Sequence, residues 1–566
     1  MTNKNDTAKQ YEIWCKKATA DPDIIAELKK IAGDTNAVDD AFYRNLAFGT
    51  GGLRGVIGAG TNRMNYYTVA KASRGLANYV NQKFPKEKRR IAVSRDSRIK
   101  SDMFAKVAAG VFAANGIEVY IYEEIMPTPC LSFAVRSLGC AAGVMVTASH
   151  NPAKYNGYKV YGEDGCQITT EAADQILTEI ENCDIFSDTA VMDFEKGIDS
   201  GIIKYIPSQV YTDFVSCVKS QTMLTENDSV DKNVAIVYSP LNGTGLKPVL
   251  RTLKESGYTN ISVVPEQEQP NGNFPTCPYP NPEIREAMEL GMRLADKNNA
   301  ELLLATDPDC DRVGIAVRDE TGVLKLLTGN ETGMLLLDYI CSMRTRNGTM
   351  PKNPVMVKTI VTIDMAERIA ANYSVKTVNV LTGFKFIGEQ IGLLEKSGSE
   401  DSYIFGFEES YGYLSGTYVR DKDAVDAAFL ICEMFAYYKS KRISLSEKLA
   451  ELYKKYGYCL NTLHSYEFDG AEGFEKMQNI MQNFRNDIGD IGGKKVLKCL
   501  DYNVGIDGLP KSDVLKFILK DNCSVVARPS GTEPKLKLYI SVSAESHNSA
   551  GLLEKKIAED MRSYFS

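Results

Sequence analysis

The feature that most restricts this chain is a repeated unit: a short apolar run that breaks abruptly into a polar loop containing Gly or Pro. Runs at 91–94, 143–146, 234–238, 302–305, 402–405 and 523–527 lead into loops at 95–98, 147–152, 239–245, 306–312, 406–412 and 528–534. Short apolar runs bounded by turn residues read as buried strands, and helix-period segments between them give α/β units with mixed or parallel sheets. Helices are predicted at 103–115, 170–183, 282–298, 333–346, 386–396, 424–441 and 549–564. Ligands of such sheets bind beyond the carboxyl ends of the strands, so six loops from distant parts of the chain predict one shared cleft.

A chain of 566 residues is too long for one core, since single cores stop growing at about 250–300 residues. Polar or turn-rich stretches at 220–233, 346–354 and 456–461 divide it into four domains: 1–218, 219–345, 346–458 and 459–566. The shared strand–loop–helix layout of the first three suggests related α/β domains. A net charge of −7 argues against a nucleic-acid partner but leaves room for a small anionic ligand held by local basic residues. No apolar run approaches the roughly 20 residues of a membrane span. The opening residues lack the apolar segment of a secretory signal, and thirteen cysteines are scattered without a Cys-x-x-Cys pair. Together these point to a reduced, cytoplasmic chain.

Ser149 stands just past the run 143–146, beside His150 and ahead of Pro152, which keeps the loop out of a helix and the hydroxyl exposed. Taken singly, a serine there reads as a turn or cap residue. A serine-hydrolase triad fails: Gly-x-Ser-x-Gly is absent, and the histidines are three, His150, His464 and His547. Asp307, Asp309 and Asp311 alternate in a loop closed by Arg312 between two apolar runs. Carboxylates so close repel one another unless a cation holds them. Arg312 and Arg318 stand where an EF-hand needs Gly and Glu, so that motif is excluded. Oxygen-only ligation favours a hard cation, with Mg²⁺ the best fit, and Cys310 should point away from it.

Arg528, Ser530, Gly531 and Thr532 offer a guanidinium, hydroxyls and turn N–H groups to a phosphate, or else form an ordinary hairpin loop. Gly-x-x-x-x-Gly-Lys-Ser/Thr is absent, which argues against nucleotide triphosphate chemistry. Glu408, Glu409 and Ser410, between Gly406 and Gly412, can bind sugar hydroxyls or form a solvated turn. Lys385, among apolar neighbours at a predicted helix start, suits acid/base work or simply snorkels. Arg54 sits in a Gly-rich loop able to approach a phosphate. Arg420, Asp421 and Asp423, without further context, read as surface charges.

Taken in order, residues 49–55, 147–152, 307–312, 382–385, 408–410 and 528–534 resemble the motifs of the α-D-phosphohexomutase superfamily, in its phosphoglucomutase/phosphopentomutase branch. The resemblance covers nearly the whole chain. It implies four domains around a central cleft, the fourth a smaller α+β domain. In chain order they would carry the phosphoserine (with an N-terminal helical extension), the metal, the sugar contacts and the phosphate contacts. It implies Mg²⁺ on Asp307, Asp309, Asp311 and the phosphate of Ser149. The expected activity interconverts glucose 1-phosphate and glucose 6-phosphate through glucose 1,6-bisphosphate. Ser149, His150, Lys385 and Arg54 form the catalytic set, with His150 and Lys385 unranked as proton carriers. Glu408, Ser410, Arg312, Arg420, Arg528, Ser530, Gly531 and Thr532 form the substrate-binding set. The partner is a small sugar phosphate, and the enzyme is expected to be a monomer or homodimer.

Two positions depart from the pattern: Phe407 intervenes between Gly406 and Glu408, and Gly51 replaces the usual Ala. The first leaves mannose and pentose phosphates as alternatives to glucose. A phosphatase using the aspartate loop and a silent sugar-phosphate sensor are the readings from other classes.

Overall fold

The computed structural model describes residues 4–49, 51–468, 470–486, 488–506, 508–529 and 535–565; Ser530, Gly531 and Thr532 therefore lie outside the described residues. Among the described residues there are four sheets, three mixed and one antiparallel. Each mixed sheet contains the same four-strand arrangement. In the first, the spatial order is Tyr155–Gly162, Ala142–Val146, Arg90–Arg95, Glu118–Ile121. In the second it is Val313–Arg318, Leu302–Thr306, Ile236–Ser239, Ile261–Val263, and in the third Gly412–Leu414, Tyr403–Glu408, Val355–Thr359, Lys376–Val380. In every case three strands run parallel and the outer one turns back antiparallel. The Ser149 loop, the aspartate loop and the Glu408 loop are thus the same hairpin of three like units.

The chemistry of the strands explains why they lie inside. Ala142–Val146, Leu302–Thr306 and Val355–Thr359 are buried at every position, as parallel strands covered by helices on both faces must be. Helix Gly329–Asn347 starts on Thr328, whose hydroxyl and the Glu331 carboxylate cap each other's backbone, and stops at Gly348 with φ 67°. Helix Ala424–Ser440 starts on Asp423, which accepts from the N–H groups of Val425 and Asp426, and is buried around nearly its whole circumference. It packs on strands of the second and third sheets and on helix Ser208–Lys219 of the first unit, and the first three units share one apolar core running from Phe133 through Leu304 and Phe405 to Phe429. The N-terminal extension, helices Lys4–Lys17, Pro22–Lys30 and Thr35–Phe42, closes over Trp14, Phe42 and Tyr67.

The fourth sheet, antiparallel throughout, has its own core under helices Gly470–Phe484 and His547–Ser563. Leu536, Leu538, Ile540 and Val542 face those helices, and the alternate face turns toward the third unit. There Tyr502, Val514, Val526 and Tyr539 meet Ile360, Val361 and Leu381. A polar latch accompanies this contact. Asp364 accepts from Lys516 Nζ at 2.8 Å, from Ser524 Oγ at 2.6 Å and from Lys358 Nζ at 3.2 Å. All thirteen cysteines are free thiols. Among the described residues no helix is long and apolar enough to cross a membrane.

Candidate active site

The first hairpin holds Ser149 at φ 51°, a left-handed conformation that costs a non-glycine residue about 1–3 kcal/mol. Its neighbours enforce it. The Ser149 N–H donates to Thr147 Oγ1 at 2.8 Å, and that hydroxyl donates to Asp96 Oδ2 at 2.6 Å. Arg98, fully buried, donates to the carbonyls of Ser149 at 2.5 Å, Pro152 and Tyr155 at 3.0 Å each, and Asn151. The hydroxyl so placed donates to Asp307 Oδ2 at 2.7 Å and lies 3.3 Å from His150 Nδ1. Burial, then the charges of Arg312 and Arg54, push the His150 imidazole down to about 3, so it is neutral at neutral pH.

The second hairpin brings one carboxylate oxygen each of Asp307, Asp309 and Asp311 within 4.8 Å of one another. Asp307 Oδ1 accepts the N–H groups of Asp311 and Arg312 at 3.1 and 3.0 Å. Lys159 Nζ reaches Asp309 Oδ2 at 2.7 Å and Asp311 Oδ2 at 3.1 Å, and Lys422 Nζ reaches Asp311 Oδ2 at 2.9 Å. Thr128 Oγ1 donates to Asp309 Oδ2 at 2.9 Å. Burial, then the two neighbouring carboxylates, drive Asp307 far above its ordinary range. Burial works the same way on Asp309, but Lys159 overrides it and holds that carboxyl low. Asp309 Oδ1 and Asp311 Oδ1 are buried and make no hydrogen bond. An all-oxygen set with acceptors left over fits a hard divalent cation such as Mg²⁺. Cys310 points the other way, into the shared core.

The third hairpin adds Glu408, whose carboxyl burial pushes up while Lys422 and Arg312 oppose the shift. Burial, then Glu408, raises Glu409 to about 7. Arg312 Nη1 donates to Glu283 Oε1 at 2.7 Å, and Arg54, at the exposed rim, donates to Asn151 Oδ1 of the serine hairpin at 3.0 Å. Arg528 is the penultimate residue of strand Cys523–Pro529 of the fourth sheet. It lies beside Tyr539, a phenol pushed up to about 12 by burial and by Glu409, with Arg528 opposing. That strand end therefore faces the third hairpin.

Residues 45–185, 211–322 and 328–456 match alpha/beta/alpha domains I, II and III of the phosphoglucomutase/phosphomannomutase family. A phosphoglucomutase of Staphylococcus saprophyticus is 38% identical over 515 residues, covering 88% of this chain and 91% of that one. The chain belongs to the phosphoglucomutase/phosphomannomutase family. A Staphylococcus aureus phosphoglucomutase is 36% identical over 545 residues, covering 94% of this chain and 95% of its own. The fold is also that of Paramecium parafusin, a phosphoglucomutase, in an open form: TM-score 0.70, 18% identity, 92% of this chain and 95% of that one. A Burkholderia thailandensis phosphoglucomutase/phosphomannomutase family protein aligns with TM-score 0.66 at 17% identity over 90% of this chain and 96% of its own.

Within this family fold the sequence-predicted residues separate. Ser149, His150, Asp307, Asp309, Asp311, Arg312 and Glu408 converge, with Arg54 at the rim. Arg420, Asp421 and Asp423 are not surface charges: all three are buried. The Arg420 guanidinium is taken up by Glu395 at 2.8 Å and by the carbonyls of Thr417 and Val419. These partners all belong to the third unit, and the link to the first is the Arg420 backbone N–H, which donates to Ser132 Oγ at 3.0 Å. Lys385 lies in the first turn of helix Phe384–Lys396 and lines a cavity of about 700 Å³ with Tyr161, Cys166 and Glu389. Ser149 and the aspartates do not line that cavity. Phe407 is buried and stacks on Phe405, so the departure from the family pattern is a core residue beneath the hairpin.

Sequence reasoning missed Lys159, Lys422, Thr128, Asp96 and Arg98. Lys159 had a signal, as a lone lysine in an otherwise uncharged strand buried at most positions. Thr128 had none, because only the fold brings it to Asp309.

Proposed function

We propose that this chain interconverts glucose 1-phosphate and glucose 6-phosphate by carrying a phosphoryl group on Ser149. The observation that carries the reading is the Ser149 hydroxyl, held in a strained hairpin 2.7 Å from Asp307 Oδ2 of the aspartate hairpin. In the forward step the bond from phosphorus to Ser149 Oγ breaks and a bond to the free sugar hydroxyl forms. The proton released by the sugar ends on Ser149. His150 Nδ1, 3.3 Å from that oxygen, is placed to deliver it and to take it back in the reverse transfer. The glucose 1,6-bisphosphate so formed turns over in the cleft, and its other phosphate returns to Ser149. Lys385 remains the second candidate for proton transfer, at the sugar.

Asp307, Asp309 and Asp311, with the phosphate on Ser149, would hold Mg²⁺, which supplies charge neutralisation at the transferring group. Arg312 and Arg54 add fixed positive charge there, where positioning and electrostatics do most of the work. Glu408 and Ser410 grip sugar hydroxyls, while Arg528 and residues 530–532 take the phosphate that is not reacting. The same reading makes the enzyme a cytoplasmic monomer or homodimer.

Purified enzyme with Mg²⁺ and a trace of glucose 1,6-bisphosphate should exchange the two glucose monophosphates, and Ser149→Ala should abolish exchange. Full activity in the alanine variant, or release of inorganic phosphate in place of exchange, refutes the reading. Comparing glucose, mannose and pentose 1-phosphates by kcat/KM fixes the preferred sugar.

A further inference from the structure

We propose that Arg98 is a positioning residue for Ser149, and that residues 271–277 of the second unit lock it in place. The serine and aspartate hairpins are then seated together by a second route besides the contact of Ser149 with Asp307. The inference rests on the phosphoryl-carrying role of Ser149.

The serine hairpin turns the carbonyls of Ser149, Asn151, Pro152 and Tyr155 toward one point, and the guanidinium of Arg98 collects all four. Its Nε lies 3.3 Å from Asp96 Oδ2, and neither side chain has exposed surface. Water cannot replace these bonds. A lysine cannot either, since its compact ammonium has three donors and no planar fork. Asp96 works from the other side. It accepts from the Arg98 N–H at 2.9 Å and Ser101 Oγ at 2.9 Å, as well as from Thr147, whose hydroxyl receives the Ser149 N–H. Both ends of the strained serine are therefore tied to one Asp–Arg pair.

The pair is gripped from the second unit. The guanidinium lies 5.1 Å from the ring centroid of Phe274, which is 2% exposed. Gly272 forms an isolated parallel bridge with Arg98, and a Cβ on Gly272 would stand 2.5 Å from the backbone nitrogen of Ile99. The Asn271 N–H then donates to the Asn242 carbonyl at 3.0 Å, and the Thr244 N–H and Oγ1 donate to the Pro308 carbonyl at 2.8 and 2.9 Å. Pro308 is the neighbour of Asp307. Side-chain and backbone contacts together thus connect the serine hairpin to the aspartate hairpin.

The test uses the full-length enzyme, with rates normalised to Ser149 phosphorylated by glucose 1,6-bisphosphate and counted by intact mass. Arg98→Ala should lower kcat by about 100-fold, the scale of an ångström misplacement, with KM changed by less than about threefold. Guanidinium ion added in solution should recover at least about tenfold of that loss, while Arg98→Lys should stay within about fivefold of Arg98→Ala. A purely structural role would reduce the amount of active enzyme, leave normalised kcat near wild type and show no guanidinium rescue. Either of those results, or full activity in Arg98→Lys, overturns the proposal. If Arg98→Ala does not fold, Phe274→Leu decides: a fall in kcat of at least about threefold at constant KM supports the proposal, and an unchanged kcat refutes it. A wild-type enzyme without exchange activity removes the mutase reading itself, so the two failures are told apart.

Discussion

Asp364→Asn tests how the fourth sheet is held over the cleft. The carboxylate joins Lys516 and Ser524 of that sheet to Lys358 of the third unit. Removing one member of a buried ion pair costs about 3–5 kcal/mol, because the other charge is left unpaired. Lys358 keeps Glu367 at 3.1 Å and the Thr362 carbonyl at 3.1 Å, whereas among the described residues Lys516 keeps only the Ile360 carbonyl at 3.2 Å. The loss therefore falls mainly on one ammonium, at the low end of that range. About 3 kcal/mol is about a 150-fold shift toward the undocked sheet, at about 1.4 kcal/mol per decade. Hydrogen exchange in Leu515–Leu519 and Cys523–Pro529 should accelerate accordingly, and kcat/KM should fall as Arg528 loses its place. The first three units, which share a separate core, should keep their protection. The sign with pH follows from the direction of the shift. Burial raises the Asp364 carboxyl, but Lys516 and Lys358 overcome it and hold the group below its ordinary range. Its stabilisation is thus complete above the unfolded value of about 3.9 and is lost as pH falls through the depressed one. Docking should be flat from about pH 5 to 8 and fail only in acid. Exchange rates in those strands within about threefold of wild type would refute this account.

Three further outcomes are expected. In Gly243→Ala the new methyl would meet Pro308 Cα at 2.4 Å, so the aspartate hairpin shifts and Mg²⁺ activation should weaken by about tenfold or more in a metal titration. Glu409→Gln removes a carboxyl raised to about 7 by burial and Glu408. Because ionising it opposes folding, the Tm gain of the Gln variant should be near zero at pH 4, grow as pH rises through 7, and be largest at pH 8. Chelation with EDTA should abolish exchange and leave the three buried carboxylates to Lys159 and Lys422 alone, lowering Tm; Mg²⁺ should restore both, and failure to restore either removes the cation from the site.

What the sequence disclosed follows the physics of each signal. Apolar runs such as 302–305 mark strands because burial on both faces leaves no room for polar residues, and all seven predicted helices recur within a few residues of their expected ends. The aspartate triplet is legible because three carboxylates in five residues demand an explanation wherever they occur. Arg420 is not, since a guanidinium in a polar stretch looks exposed until the fold closes Glu395 over it. Arg98 and Thr128 act through partners about 50 and 180 residues away, and only tertiary contact shows them. The common strand order of the first three sheets shows in sequence only as a similar alternation, because the units share topology and not residues.

That common order has a consequence for redesign. The proposed nucleophile, cation ligands and sugar contacts sit on three equivalent structural slots, each a reversal between a buried strand and the antiparallel strand after it. A substitution confined to 408–412 alters the proposed sugar contacts and leaves the serine hairpin's strands in place, but it must respect the Val313 N–H, which donates to the Tyr411 carbonyl at 3.2 Å. On the proposed roles the third hairpin is the cassette to exchange between relatives of different preference, moved together with its contact at Val313.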